Sequence, residues 1–315
     1  MKQVELLSTL LPKDVISLLI GKLLGDANLN IQEKKRPRLY FSHCAADREW
    51  CYYCYTRLKD YIPVPAPVYT KVMDKRVSKG YTEKYYVQSR TSEVIDLLKE
   101  SWYPNNSKTI PFELLNQYLS REALAWWYQD DGHLKREKGI VKKVVLSTDA
   151  FTKDENTKLT KLLYDKFQLT FSVDGQNRLL LYDQPQMYYF LHLIKPFIHN
   201  SMNRKQMVMS QHIPTLSTAK RTTIYLPIHI EINEPTKEIT NTLKLLPILQ
   251  EKISNRNMYE NLFQSYFPII TNTKKSETNG YQIQLSPRTL QGLYKIKIFT
   301  GLNYSQITYL CFLIK

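Results

Sequence analysis

The sequence predicts an α+β protein: two pseudo-symmetric αββαββα halves, then a small C-terminal α+β extension. Three observations carry that prediction. An amphipathic helix ending at an acidic residue occurs twice, each copy is followed by the same succession of strand-like and helical segments, and the chain changes character near residue 220. Internal similarity of this kind marks a duplicated structural unit.

The first helix is expected within residues 12–29 (PKDVISLLIGKLLGDANL), where an apolar run closes on Asp26. The second is expected within 120–134 (SREALAWWYQDDGHL), with Ser120 as N-cap and Asp131-Gly132 at its end. In the first copy, alternation and turn residues predict strands near 28–33, 38–43, 67–73 and 83–90, and helices near 47–60 and 92–101. In the second they predict strands near 133–137, 142–148, 170–175 and 178–182, and helices near 153–167 and 185–195. The halves are read as residues 1–107 and 108–215, with the connection in 102–119.

At 315 residues and 43% hydrophobic, the chain can bury more than one core and is no disordered polyelectrolyte. Forty-four Lys and Arg against 29 Asp and Glu give a formal charge of +15 and a sequence pI of about 9.4. Such an excess calls for a polyanion, either nucleic acid or an anionic membrane. No apolar run approaches the roughly 18 residues of a membrane span, so nucleic acid is the better reading and no membrane partner is expected. The start MKQVELLSTLLPKD lacks the features of a secretory or transit segment. The protein is therefore expected inside the cell with its host DNA, in an organelle or in bacterial or phage cytoplasm, and not secreted. Frequent Lys, Asn, Ile and Tyr (23 Tyr) fit an AT-rich genome of such origin.

Cys51 and Cys54 have the C-x-x-C spacing of a zinc site, with His43 and Cys44 nearby. Against zinc, CYYCY falls where an aromatic helix should run and no second Cys pair follows. Reduced thiols are the default expectation.

Gly21 and Gly25 lie four residues apart on one helical face, which lets a second helix approach closely. Asp26 follows at the helix C-terminus, where a carboxylate opposes the macrodipole. Asp130-Asp131 repeats the arrangement, stopped by Gly132. One Gly-Asp pair is an ordinary turn. Two, each closing an apolar helix and opening an alternating strand, suggest functional acids.

LIGKLLGDA (19–27) and LAWWYQDDG (124–132) resemble the paired motifs of single-chain LAGLIDADG homing endonucleases, most closely the yeast mitochondrial intron-encoded branch. KTIPFELLNQYLSREALAWWYQDDG (108–132) and LIKPFIHNSMNRKQM (193–207) extend the likeness to about 200 residues. Trp126 stands where the motif has glycine, so packing there is expected to rest on Ala125. The resemblance implies a DNA-binding saddle and a monomer that cuts double-stranded DNA at a long site. It makes Asp26 and Asp131 catalytic ligands of Mg²⁺ or Mn²⁺, with Asp130 in a supporting role. It also places a lysine in each half beside the attacking water: Lys108, 82 residues after Asp26, and Lys205, 74 after Asp131.

The strands then become candidate DNA contacts. Asn28, Asn30 and Gln32 alternate, as do Arg38, Tyr40 and Ser42, and Lys84, Tyr86, Gln88 and Arg90. Lys135, Lys143, Gln176, Arg178 and Tyr182 are their second-half candidates. Amides and guanidinium groups suit purine edges and lysines suit phosphates. Acids are sparse on these faces, which argues against a merely solvated sheet.

Residues 221–315 hold 11 basic and 6 acidic residues, after a linker-like HIPTLSTAKR. A strand near 222–230 with helices near 236–253 and 257–266, then a strand at 281–285 with two helices parted by Gly301, resembles a ribbon-helix-helix pseudo-dimer. In that reading Thr223, Tyr225, Gln282 and Gln284 face DNA while Ile224, Ile283 and Leu285 pack inward; otherwise the segment is a packing appendage. The first 215 residues are expected to fold without it. Two alternatives to cleavage stand: a maturase that binds intron RNA, and a regulator that binds DNA without cutting.

Overall fold

The computed structural model describes residues 2–137, 140–206 and 218–315. Part of the expected linker HIPTLSTAKR and the end of the second half, residues 207–217, lie outside the described residues. No described helix is long and apolar enough to cross a membrane.

The first copy runs α1 (Lys2–Leu10), α2 (Lys13–Leu24), β1 (Asn28–Asn30), β2 (Arg38–Cys44), α3 (Arg48–Leu58), β3 (Val68–Met73), β4 (Tyr81–Gln88) and α4 (Glu93–Trp102). After α5 (Phe112–Tyr118), the second runs α6 (Arg121–Asp131), β5 (Gly132–Glu137), β6 (Ile140–Leu146), α7 (Lys153–Phe167), β7 (Ser172–Val173), β8 (Leu179–Leu181) and α8 (Gln184–Ile194). The two four-stranded sheets have the same order, β1-β2-β4-β3 and β5-β6-β8-β7. That shared topology is the duplication seen in the sequence.

Local chemistry sets the helix limits. Ser120 Oγ accepts from Ala123 N at the start of α6, and Thr152 with Glu155 forms a capping box on α7. Gly132 follows the last residue of α6, and only glycine fits there, because a Cβ would fall 2.0 Å from the Tyr128 ring. The strands β7 and β8 are shorter than expected. Asp174 Oδ1 accepts from Gln176 N and Arg178 N, and this side-chain turn takes residues 174–178 out of the ladder.

Helices α2 and α6 pack along the middle of the duplicated region, and both glycines of the first motif are spent on that contact. A Cβ on Gly21 would lie 2.5 Å from the Ala123 carbonyl oxygen and 2.9 Å from Trp126 Cβ; one on Gly25 would lie 2.6 Å from Asp130 Cβ. The close approach on α6 thus falls at Ala123, Trp126 and Asp130 rather than at Ala125. Ser17 Oγ and Ser120 Oγ also meet, at 2.6 Å. Around the pair, Trp50, Trp102, Trp126, Trp127 and Tyr128 are fully buried.

Contacts divide the chain into two units. One holds residues up to 135, 143–181 and 191–206. The other holds 136–142, 182–190 and the C-terminal region. In the second unit β9 (Lys220–Pro227) is followed by α9 (Pro235–Thr242), α10 (Leu246–Ser254) and α11 (Arg256–Asn272), and β10 (Thr278–Leu285) by α12 (Pro287–Thr300) and α13 (Tyr304–Leu313). The single helix expected near 236–253 is two helices joined by a 3-10 turn. Pro247, which has no N–H, sits in the first turn of α10 where the helix restarts. Gly301 ends α12 at φ 74°. Tyr189 stacks flat on Phe263, centroids 3.5 Å apart, and is 1% exposed. Removal of residues 221–315 would uncover this buried ring of α8.

Candidate active site and nucleic-acid interface

Asp26 follows the C-terminal turn of α2 and Asp131 is the last residue of α6, so the packing of these helices brings the two acids into one site. Each has a lysine at the adjoining carbonyls. Lys108 Nζ donates to Ala27 O at 3.1 Å. Lys205 Nζ donates to the carbonyls of Tyr128, Gln129 and Asp130 at 3.2, 2.5 and 3.0 Å, closing the open end of α6. An ammonium group is favoured at that negative pole. The four residues singled out in the sequence are therefore brought together.

The two acids differ in their surroundings. Burial works against ionisation of Asp26, but a hydrogen bond from His43, with the charges of Lys22 and Lys205, holds it below the usual carboxylate range. The His43 Nδ1 to Asp26 Oδ2 distance is 3.1 Å. Asp131 has no such hydrogen bond among the described residues: burial, then Asp26 and Asp130, push it up to about 7 against the pull of Lys108 and Lys205. Burial in turn brings Lys108 down to about 8, although Asp131 and Asp26 oppose it, and lowers Lys205 as well.

Beneath the acids lies a network that the sequence reading missed. The Lys22 side chain is fully buried in α2, and its Nζ donates to both Asp130 oxygens at 3.0 and 2.8 Å. The same Nζ lies 3.0 Å from His43 Nε2. Trp50 Nε1 donates to Asp130 Oδ1 at 2.8 Å, and the Asp26 amide donates to Asp130 Oδ2 at 3.2 Å. Burial penalises the Lys22 ammonium, yet the nearby carboxylates raise its pKa above the ordinary value. Lys22 interrupts the apolar run LLIGKLLG, and His43 continues the inward series Leu39, Phe41. Those two misplaced polar residues were the available signals.

Asp26, His43 and Asp130 lie close enough to suggest a metal cluster. Lys22 already places its ammonium between Asp130 and His43, so that space is filled by an internal cation. Partly exposed Asp26 and Asp131 are the carboxylates whose chemistry fits a hard divalent cation. The C-x-x-C pair does not form a ligand set with its neighbours: Cys51 and Cys54 are buried in α3, and burial pushes the Cys51 thiol up to about 12 and raises that of Cys54.

The first sheet carries its expected polar face. Register sets Asn28 beside Tyr40 and Tyr40 beside Gln88, Asn30 beside Arg38, and Ser42 beside Tyr86, all on one side. Lys84 donates to Tyr40 OH at 3.0 Å, and Tyr40 stacks on Tyr86. The other side, Leu29, Leu39, Phe41 and Val87, is buried. Gln32 and Arg90 fall just outside the strands. In the second half Lys135 and Lys143 are on β5 and β6, Gln176 lies between β7 and β8 as expected, but Arg178 and Tyr182 lie just outside the strand on which they were expected. Arg178 is held by Asp174 at 2.7 Å, so the turn rather than strand alternation sets its direction.

A family model described as the LAGLIDADG DNA endonuclease family matches residues 16–187. An uncharacterised protein of Methanocaldococcus jannaschii is 32% identical over 61% of this chain and 73% of its own length. A protein of Debaryomyces hansenii named cytochrome b mRNA maturase bI2 is 28% identical over 62% of this chain and 74% of its own. Among solved structures, the homing endonuclease I-WcaI bound to its DNA recognition sequence superposes with a TM-score of 0.54 at 24% identity, covering 62% of this chain and 86% of that one.

Proposed function

Because the chain belongs to the LAGLIDADG DNA endonuclease family, we propose that it is a homing endonuclease that cuts both strands of duplex DNA at one long, specific site. The observation that carries the reading is the pair of helix-end acids, Asp26 and Asp131, each beside carbonyls closed by a half-buried lysine. One acid serves each strand, residues 1–107 and 108–215 acting as the two half-sites of a monomer.

Asp26 and Asp131 would hold Mg²⁺ or Mn²⁺, which supplies a lowered water pKa and a counter-charge for the leaving oxygen. The chain's own groups do the rest. Lys108 holds the attacking water, and Lys205, whose ammonium protons are taken by the carbonyls of α6, offsets phosphate charge. The polar face of the first sheet (Asn28, Asn30, Arg38, Tyr40, Lys84, Tyr86 and Gln88), with Gln32 and Arg90 beside it, supports contacts to bases and phosphates. Lys135, Lys143, Gln176, Arg178 and Tyr182 complete the interface in this reading. The maturase-named relative favours a second reading, binding of intron RNA.

The test is a cleavage assay with purified protein and Mg²⁺ on duplex carrying the uninterrupted insertion site. Wild type should linearise the DNA. Asp26→Asn and Asp131→Asn should abolish double-strand cutting and keep duplex affinity within a few fold. Cutting by both variants at the wild-type rate would sink the assignment, and intron RNA binding without any DNA cleavage would favour the maturase.

A further inference from the structure

The strands β9 and β10 pair antiparallel over their whole length, from Thr278 opposite Pro227 to Leu285 opposite Lys220. Alternation divides them cleanly. Ile224, Leu226, Ile283 and Leu285 are buried, while Arg221, Thr223, Tyr225, Gln282 and Gln284 are exposed. Register places Arg221 beside Gln284, Thr223 beside Gln282 and Tyr225 beside Gly280. A Cβ on Gly280 would sit 3.0 Å from Tyr225 Cε1, so the glycine is what lets the tyrosine ring lie across the ribbon. Lys275 Nζ stands 5.3 Å from that ring.

A strand face kept polar only for solubility mixes lysine with glutamate. This one carries a guanidinium, two primary amides, a hydroxyl and a phenol, flanked by Lys275, and none of its outward residues is an acid. Two strands about 5 Å apart enter the roughly 12 Å major groove of B-DNA, while the A-form RNA groove is too deep and narrow for them. Eight residues at about 3.3 Å each extend over more than half of a DNA turn of roughly 34 Å. We propose that the outward face of the β9–β10 ribbon is a second duplex-DNA site, separate from the acids, which reads base edges in a major groove. Gln282 and Gln284 suit the N6/N7 edge of adenine, Arg221 the O6/N7 edge of guanine, and the Thr223 methyl that of thymine. The site gives the enzyme a block of recognised sequence beyond what the duplicated region covers. It rests on the ribbon's own geometry and not on the cleavage reading.

The test uses the full-length chain in EDTA, so that binding is scored without cutting. Sequences are selected from a randomised duplex pool by wild type and by the triple variant Arg221→Ala, Gln282→Ala, Gln284→Ala. All three positions are exposed, and an unchanged Tm checks that the variant is folded. Wild type should recover two tracts, a long one and a separate short block. The variant should recover the long tract alone and bind the two-tract duplex about 10- to 100-fold more weakly, as expected for lost bidentate base contacts. Gln284→Glu, which keeps the shape and repels phosphate, should weaken binding in the same direction. Identical selected sequences and affinities for wild type and variant would overturn the proposal. So would a randomised RNA pool that wild type prefers to duplex and the triple variant no longer binds. Adding Mg²⁺ to the selected duplex separates the two claims: a short block without cleavage leaves the ribbon site standing and removes the endonuclease reading.

Discussion

Asp26 and Asp131 stand at equivalent points of the repeat, but the protein treats their protons differently. Burial and two neighbouring carboxylates push Asp131 up to about 7. Its folded pKa then lies above its unfolded value of roughly 3.9, so between about pH 4 and pH 7 the native state binds the extra proton. Stability should therefore fall as pH rises through that window and level off above it. In metal-free buffer Asp131→Asn should equal wild type near pH 4 and exceed it at pH 8 by a few kcal/mol, on the order of 1–4. Urea titrations at the two pH values check this, and a variant no more stable than wild type at pH 8 would remove the burial argument. The lysines are judged by rate. Lys108→Met and Lys205→Met should slow single-turnover cleavage by about one to two orders of magnitude and change duplex affinity little. Wild-type rates would leave both lysines as caps on carbonyls and nothing more.

At the scale of elements, α2 and α6 join through glycines on one side and a carboxylate on the other. Asp130 occupies the space that Gly25 leaves open and there meets Lys22, Trp50 and the Asp26 amide. Asp130→Ala leaves the buried Lys22 ammonium with His43 but without its carboxylate, and should cost about 3–5 kcal/mol. Replacing both with apolar residues, Lys22→Met with Asp130→Leu, should recover much of that loss in a denaturation experiment. Failure to recover it would mean that the Trp50 and Asp26 contacts matter more than the ion pair. This network also marks where sequence reading ran out. Helices and strands were legible from their periods, and the acids from their repetition, because both signals are local. Lys22 reads as a surface charge until a partner 108 residues away is placed beside it. The strands β7 and β8 were read too long for a related reason: the Asp174 side chain competes with the ladder for backbone donors.

Over the whole molecule, duplication supplies two sheets of identical order, and the extension supplies a ribbon whose inward and outward residues followed directly from alternation. What alternation could not reveal was that residues 182–190 of the second copy group with the C-terminal region. The two copies are nonetheless not interchangeable. Two first copies face to face would bury a pair of ammonium groups with no carboxylate between them. Two second copies would press Trp126 on Trp126 and Asp130 on Asp130, with no glycine to make room. A gene split in the 103–107 stretch should therefore yield fragments that do not dimerise with themselves and associate only when mixed, as size-exclusion chromatography of each alone and of both together would show. Stable homodimers of either fragment would contradict this. The buried Lys22–Asp130 pair thus works as a key and lock between unlike halves, and it commits the fused chain to an arrangement that neither ancestor-like half can make alone.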